Sequence, residues 1–465
     1  MKYVSTRNNQ KEFNFKEVFI KGLADDGGLF VPKLLKKYTE EEINNLSNLN
    51  YRELAIKIMF PFCSDFIDEN ELKNIVEKSY SKFRENDIVK ITDIGNHKLL
   101  ELFHGPTLAF KDIAMQFIGN LYDYYIKNNH QNINIIVATS GDTGAAAIDA
   151  IKGKKNMNIF VLHPNNKISK IQRKLMTTVK DKNVFNIAID GNFDDCQNLV
   201  KSMFEDLNFS KSIKMSGVNS INWARIIAQS VYYFYCYLKL DKKKPINFSV
   251  PTGNFGDVYA GYLSKKMGLP IGKLIVATNQ NDILHRAISS GKYIANQVQQ
   301  TISPSMDIQV ASNFERLIYD VNDCNADKTN KIMQGIKNEK EYLIEEKELE
   351  KIKEDFISES ISEKELLSCI KKTYENHKMI IDPHTAVGLG ALEKINLTDK
   401  SIVLSTAHPC KFPEAINEAI NVKPELPNKL NYILNEKENF VVIQNNVEEV
   451  KEYILNKLNF LVKKN

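Results

Sequence analysis

The rhythm of hydrophobic and polar positions changes near residue 95. Before that point, segments such as TEEEINNLSNLNYRELAIKIMF (Thr39 to Phe60) space their apolar residues at helical intervals and put charge on the opposite face. A turn-rich stretch, GLADDGGLFVP (Gly22 to Pro32), precedes them. From Leu99 onward, short β-branched runs alternate with helical segments. KLLELF is followed by DIAMQFIGNLYDYYI, and INIIVAT (Ile133 to Thr139) by SGDTG and AAAIDAI. NIFVLHP, VFNIAID, INFSV (Ile246 to Val250), KLIVATN and SIVLST (Ser401 to Thr406) continue the series. Strand–loop–helix alternation predicts parallel sheets with crossover helices, so the fold class is α/β with two open parallel-sheet domains. The aromatic run VYYFYCYL (Val231 to Leu238) reads as a buried helix segment. Residues 325–378, rich in lysine and glutamate as in EKEYLIEEKELEKIKEDF, read as a solvated helical insertion. A chain of 465 residues exceeds one ordinary core. The expected division is a helical N-terminal subdomain (1–95), a first α/β domain (96–230) and a second (231–465) that includes the insertion.

In parallel α/β sheets, ligands bind beyond the carboxyl ends of strands, so the loops after these runs are where chemistry is expected. SGDTG (Ser140 to Gly144) follows one strand and opens a helix, where backbone N–H groups converge into an anion site. The plainer alternative is a capped helix, since Ser, Asp and Thr are ordinary caps. TGNFGD (Thr252 to Asp257) repeats the arrangement after INFSV. Its two glycines and asparagine permit a tight turn that aims successive N–H groups at a phosphate. No GK[ST] follows and the spacing is not GxGxxG, which excludes a Walker loop and a dinucleotide fingerprint. A plain strand-to-helix turn is equally compatible with that fragment. In HGPTLAFKDIAMQF (His104 to Phe117), Lys111 starts a helix, the end that favours anions. If it points inward, the same field favours a neutral amine, the form that condenses with a carbonyl; if not, it reaches out to water. Two anion turns and this lysine together suggest a cofactor bearing both a phosphate and an aldehyde, as pyridoxal 5'-phosphate does.

Composition changes this picture little. Apolar residues make up 43% and charged residues 26%, so the chain is globular rather than disordered. A net charge of +4 gives no reason to expect a nucleic-acid partner or an anionic membrane surface. No run of about 18 apolar residues exists, and the N-terminus lacks the apolar segment of a secretory signal. The six cysteines show no CxxC pairing and no histidine at metal spacing, so free thiols, no metal and a cytoplasmic setting are expected.

HGPTLAFKD, ATSGDTGAA, NSINWARI (Asn219 to Ile226), PTGNFGD, DPHTAVG (Asp382 to Gly388) and STAHPCKFPEA (Ser405 to Ala415) closely resemble the threonine synthases. YVSTR (Tyr3 to Arg7) and GLADDGGLFVP look like that family's opening; between about 290 and 378 only SPSMDI and SNFER match. The resemblance implies the fold type II pyridoxal-phosphate architecture, with Lys111 as Schiff-base lysine. It implies that Gly253, Asn254, Phe255, Gly256 and Asp257 cradle the cofactor phosphate and that Thr406 faces the pyridine nitrogen. Ser140, Asp142 and Thr143 would meet the substrate carboxylate, and Asn219, Ser220 and Arg225 the substrate phosphate. An aspartate at 142 would repel an anionic substrate unless neutralised or turned away. The implied reaction takes O-phospho-L-homoserine and water to L-threonine and phosphate, in a monomer or homodimer. A phospholyase releasing 2-oxobutyrate would share nearly every motif, and a cofactor-binding protein without catalysis is the alternative from another class.

Overall fold

The computed structural model describes residues 1–240, 244–397 and 401–462. It divides into two compact units, one of residues 1–114 with 220–424, the other of residues 115–219 with 425–465. This differs from the contiguous division expected from sequence, because strands pair across long stretches of chain. His97–Glu101 runs parallel to Ser401–Ser405 in the first unit. Val441–Gln444 runs parallel to Val184–Asp190 in the second.

The first unit is built on a six-stranded sheet in the order Phe356–Ser360, Ile271–Thr278, Ile246–Pro251, Ser401–Ser405, His97–Glu101, Lys90–Ile94. Its neighbours are parallel except the last pair, a β-hairpin at the edge. The three central strands Ile271–Thr278, Ile246–Pro251 and Ser401–Ser405 are almost continuously buried, as strands covered on both faces must be. The helix Pro383–Ile395 packs on them through Ala386, Val387, Ala391 and Leu392, in a cluster with Val403, Ile275 and Ile370. The helix Trp223–Leu238 is buried along its whole length, as the aromatic run predicts.

The insertion carries helices Ala326–Glu339, Glu346–Asp355 and Glu363–His377, and two strands that its charged composition conceals. Glu341–Leu343 pairs with Lys292–Ile294. Phe356–Ser360 joins the main sheet beside Ile271–Thr278, so this part of the insertion is integral to the sheet. Its alternating burial marks an edge strand with one face inward, a short signal within lysine- and glutamate-rich sequence.

The second unit holds a five-stranded, all-parallel sheet: Val441–Gln444, Val184–Asp190, Met157–Pro164, Ile133–Ala138 and Met215–Ser216. Ile136, Phe160, Ile187 and Ile189 meet Met203 of the helix Phe193–Glu205 and Ile454 of the C-terminal helix Val447–Val462 in its core.

Candidate functional site

Lys111 is the first residue of the helix Lys111–Asn129. Its approach is fixed by main-chain bonds to the segment after Ser401–Ser405: Phe110 N donates to Thr406 O at 2.8 Å, and His408 N to Leu108 O at 3.0 Å. Asp112, buried, accepts from Thr107 N at 2.8 Å and from its hydroxyl at 2.6 Å, which closes the turn before the helix. The lysine side chain is half-buried. Its amine donates to Ser305 Oγ at 3.5 Å.

Ser305 connects the amine to the glycine turn. A β-carbon on Gly253 would lie 2.7 Å from the Ser305 carbonyl oxygen, so only glycine lets the two backbones approach. The segment bearing Ser305 is held on both sides. Ser305 N donates to His384 Nε2 at 3.3 Å, and His384 Nδ1 lies 2.9 Å from Asp382 Oδ1. Asp307 accepts from Thr301 Oγ1 at 2.6 Å, Thr301 N at 2.8 Å and Asn279 Nδ2 at 2.8 Å. The DPHTAVG motif therefore supports the Ser305 segment. Sequence reasoning gave Ser305 no role, although SPSMDI marked its neighbourhood.

The turn Thr252–Asp257 joins the strand Ile246–Pro251 to the helix Gly256–Lys266. The left-handed position is not a glycine but Phe255, with φ 63°. That conformation costs a bulky residue about 1–2 kcal/mol. Burial of its ring, 5.3 Å from Phe314 and 5.7 Å from Phe356 in ring centroids, offsets the strain. The two glycines serve close approach, to Ser305 at 253 and to Asn313 at 256, rather than turn conformation. Asp257 turns its carboxylate into the core, where Tyr232 donates to it and Tyr233 lies 3.5 Å away. Burial raises its pKa to about 7, against the opposing pull of the two tyrosines and Arg225. Its side chain thus faces tyrosines, leaving its backbone as the part that shapes the turn.

Arg225 is the third residue of Trp223–Leu238 and is buried beside Tyr232 and Asp257; burial lowers its pKa to about 10, so it is cationic at neutral pH. Asn219 and Ser220 lie in the loop before that helix, which Asn222 caps by accepting from Ala224 N at 3.0 Å. Arg225 and Asn219 do not share a helix face. Thr406 is buried at the end of Ser401–Ser405, one main-chain bond from Phe110.

In the second unit, Ser140–Gly144 joins Ile133–Ala138 to the helix Asp142–Ile151. Thr139 organises it, its Oγ1 accepting from Gly141 N at 2.9 Å and Gly144 N at 2.8 Å. Gly141 takes φ 132°, which L side chains rarely adopt. Asp142 is buried and accepts from Gln172 Nε2 at 2.9 Å, so a neutral donor holds its carboxylate inside this unit. Ser140 and Thr143 are half-buried beside it. Arg173, one residue beyond Gln172, is tied to Glu438 at 2.8 Å and acts structurally.

His104 pairs with Glu101 at 2.9 Å. Burial lowers the His408 pKa to about 4, which makes it a neutral packing group. Trp223 is fully buried. All six cysteines are free, and among the described residues no group of His, Cys, Asp and Glu could hold a metal ion. No described helix is long and apolar enough to cross a membrane.

Three known families match the chain in order: "Threonine synthase N terminus" over residues 2–80, "Pyridoxal-phosphate dependent enzyme" over 98–327, and "Threonine synthase, C-terminal" over 385–454. The chain is 43% identical over 459 residues to the threonine synthase of Pseudomonas aeruginosa, covering 98% of each chain. Its fold superposes with a TM-score of 0.94 on the pyridoxal-phosphate-bound threonine synthase from Brucella melitensis, at 44% identity, covering 98% of this chain and 99% of that one. The yeast threonine synthase structure gives a TM-score of 0.93 at 39% identity, with coverage of 98% and 99%. The chain belongs to the threonine synthase family of pyridoxal-phosphate-dependent enzymes, with the fold type II architecture.

Proposed function

We propose that this chain converts O-phospho-L-homoserine and water to L-threonine and phosphate, with Lys111 holding the cofactor. The observation that carries the reading is the half-buried Lys111 amine, 3.5 Å from Ser305 Oγ, with the Ser305 carbonyl packed on Gly253. One segment, that of Ser305, thus meets both the amine and the glycine turn that would hold a phosphate. The residues fit the cofactor on chemistry: a primary amine, a glycine turn at the N-terminus of an 11-residue helix, and a neutral hydroxyl at Thr406.

When bound, the cofactor ring supplies an electron sink for negative charge at the substrate Cα. The chain's own residues orient the substrate and move its protons. Lys111 Nζ takes the Cα proton and is placed to shuttle it onward, with the Ser305 hydroxyl as its hydrogen-bond partner. Backbone N–H groups of Gly253 to Asp257 would hold the cofactor phosphate at the helix's positive end. The Thr406 hydroxyl would face the pyridine nitrogen. In the second unit, Ser140, Thr143 and the helix N-terminus at Asp142 receive the substrate carboxylate. Asp142 is compatible with that role because Gln172 holds its side chain. Asn219 and Ser220 receive the substrate phosphate, with the buried charge of Arg225 stabilising negative charge as phosphate departs. Six free thiols suit a reducing compartment, and we place the protein in the cytoplasm as a monomer or homodimer.

The test is to incubate the purified, cofactor-loaded protein with O-phospho-L-homoserine and measure phosphate, threonine and 2-oxobutyrate. Phosphate and threonine in equal amounts are expected. Phosphate with 2-oxobutyrate would assign a phospholyase, and no phosphate would remove the catalytic reading.

A further inference from the structure

Asn313 lies in SNFER, a motif to which the chemistry above assigns nothing. Its side chain is completely buried at the start of the helix Phe314–Val321. A neutral side-chain amide has two N–H donors and one carbonyl acceptor, and here each has a partner. Nδ2 donates to Asn254 O at 3.0 Å and to Ser220 O at 3.4 Å, while Oδ1 accepts from Arg316 Nη1. This orientation is fixed chemically: the guanidinium only donates and the two carbonyls only accept. The Asn313 backbone N–H adds a second bond to Asn254 O at 3.1 Å. Room for the amide comes from Gly256, whose β-carbon would stand 3.1 Å from Nδ2.

The amide thus joins the two turns assigned above to two different phosphates, Asn254 to the cofactor's and Ser220 to the substrate's. Drawing those carbonyl oxygens back onto one group orients the peptide units and so aims their N–H groups at bound anions. The amide is itself held firmly. Arg316, fully buried, donates from Nη2 to Ile221 O at 2.6 Å and from Nε to Phe30 O at 3.1 Å. Between them, Glu315 accepts from Arg7 Nε at 2.9 Å and Nη2 at 2.8 Å, so the N-terminal segment braces the same helix turn.

We propose that Asn313 is a positioning residue that sets the spacing between the cofactor-phosphate turn and the substrate-phosphate turn. The inference rests on the reading of those turns given under Proposed function. Its signature is joint: loss of the amide donors weakens both anion sites at once.

The discriminating variant is Asn313→Asp. It keeps the volume and an acceptor for Arg316, but replaces the one nitrogen that donates to two carbonyls with a single oxygen that cannot donate to either. Two affinities are measured for wild type and variant: pyridoxal phosphate for the apoprotein, by absorbance titration, and inorganic phosphate for the holoprotein, by calorimetry. Each is expected to fall by about tenfold or more in Asn313→Asp, while the apoprotein unfolds within about 3 °C of wild type. Asn313→Gln, which retains the donors, is expected to recover part of both. Either affinity staying within twofold of wild type in Asn313→Asp overturns the proposal, as does a wild-type holoprotein that binds no phosphate. A variant too unstable to purify also overturns it, because the side chain's role would then be in folding. Failure of the functional reading is seen separately, as absence of threonine from the wild-type assay.

Discussion

Two turns of the same outward design are built in opposite ways. Thr139–Gly144 and Thr252–Asp257 each leave a buried parallel strand and open a helix, and each carries two glycines and an aspartate. The first is held mostly from within: Thr139 Oγ1 satisfies Gly141 N and Gly144 N, and the positive φ falls on glycine. The second is held from far along the chain, by Asn313 on Asn254 and by the Ser305 carbonyl against Gly253, with its positive φ on Phe255. One turn carries its own scaffold in adjacent residues, while the other is shaped by segments about fifty residues away. The Ser305 segment that packs against Gly253 also accepts from the Lys111 amine, so one distant element meets both the turn and the lysine.

The largest expected effect comes from breaking the externally held turn. Gly253→Ala drives a β-carbon to 2.7 Å from a backbone oxygen that Asp307 and His384 prevent from moving. Cofactor affinity, measured by absorbance titration of the apoprotein, should fall by about a hundredfold or more. Thr139→Val attacks the self-held turn instead. It strands two N–H groups, each costing about 1–3 kcal/mol. kcat/KM for O-phospho-L-homoserine should fall at least about tenfold while cofactor loading stays at wild-type level. Loss of loading in this variant would erase the distinction between the turns.

The two aspartates sharpen the comparison further. Burial raises the Asp257 pKa to about 7, above its unfolded value, so the native state binds the extra proton. Its contribution to stability is full below about pH 4 and is lost as pH rises to about 7. Asp257→Asn removes that slope. Relative to the variant, wild type should lose on the order of 1 kcal/mol per pH unit between pH 5 and 7, read from denaturant unfolding of the apoproteins. A constant difference across that range would contradict the assignment. Asp142→Asn should have the smallest effect, because asparagine Oδ1 can still accept from Gln172. kcat/KM within about threefold of wild type is expected; a large gain would mean the charge opposes the substrate.

What the sequence made legible follows from the same contrast. The alternation of β-branched runs and helices revealed the parallel strands of both sheets, and the position of Lys111 at a helix start was visible in HGPTLAFKD. The two strand-to-helix turns could be located because such junctions are local. Local pattern could not say that Lys111 lies by Ser305, that Gly253 is glycine for the sake of a carbonyl, or that Asn313 joins two turns. Those contacts span 194, 52 and 59 residues respectively, as the numbering of Lys111–Ser305, Gly253–Ser305 and Asn254–Asn313 gives. The discontinuous units and the sheet strand Phe356–Ser360 escaped for the same reason: strand partners are selected by burial, not by nearness in sequence.

The central claim is that one amine, that of Lys111, carries the cofactor. It is tested most directly by reducing the cofactor-loaded protein with borohydride, digesting it and mapping the modified peptide by mass spectrometry. The cofactor should be found on Lys111 alone, at close to one per chain, and Lys111→Ala should show no adduct and no turnover. An adduct on another lysine, or threonine formation by Lys111→Ala, would contradict the account.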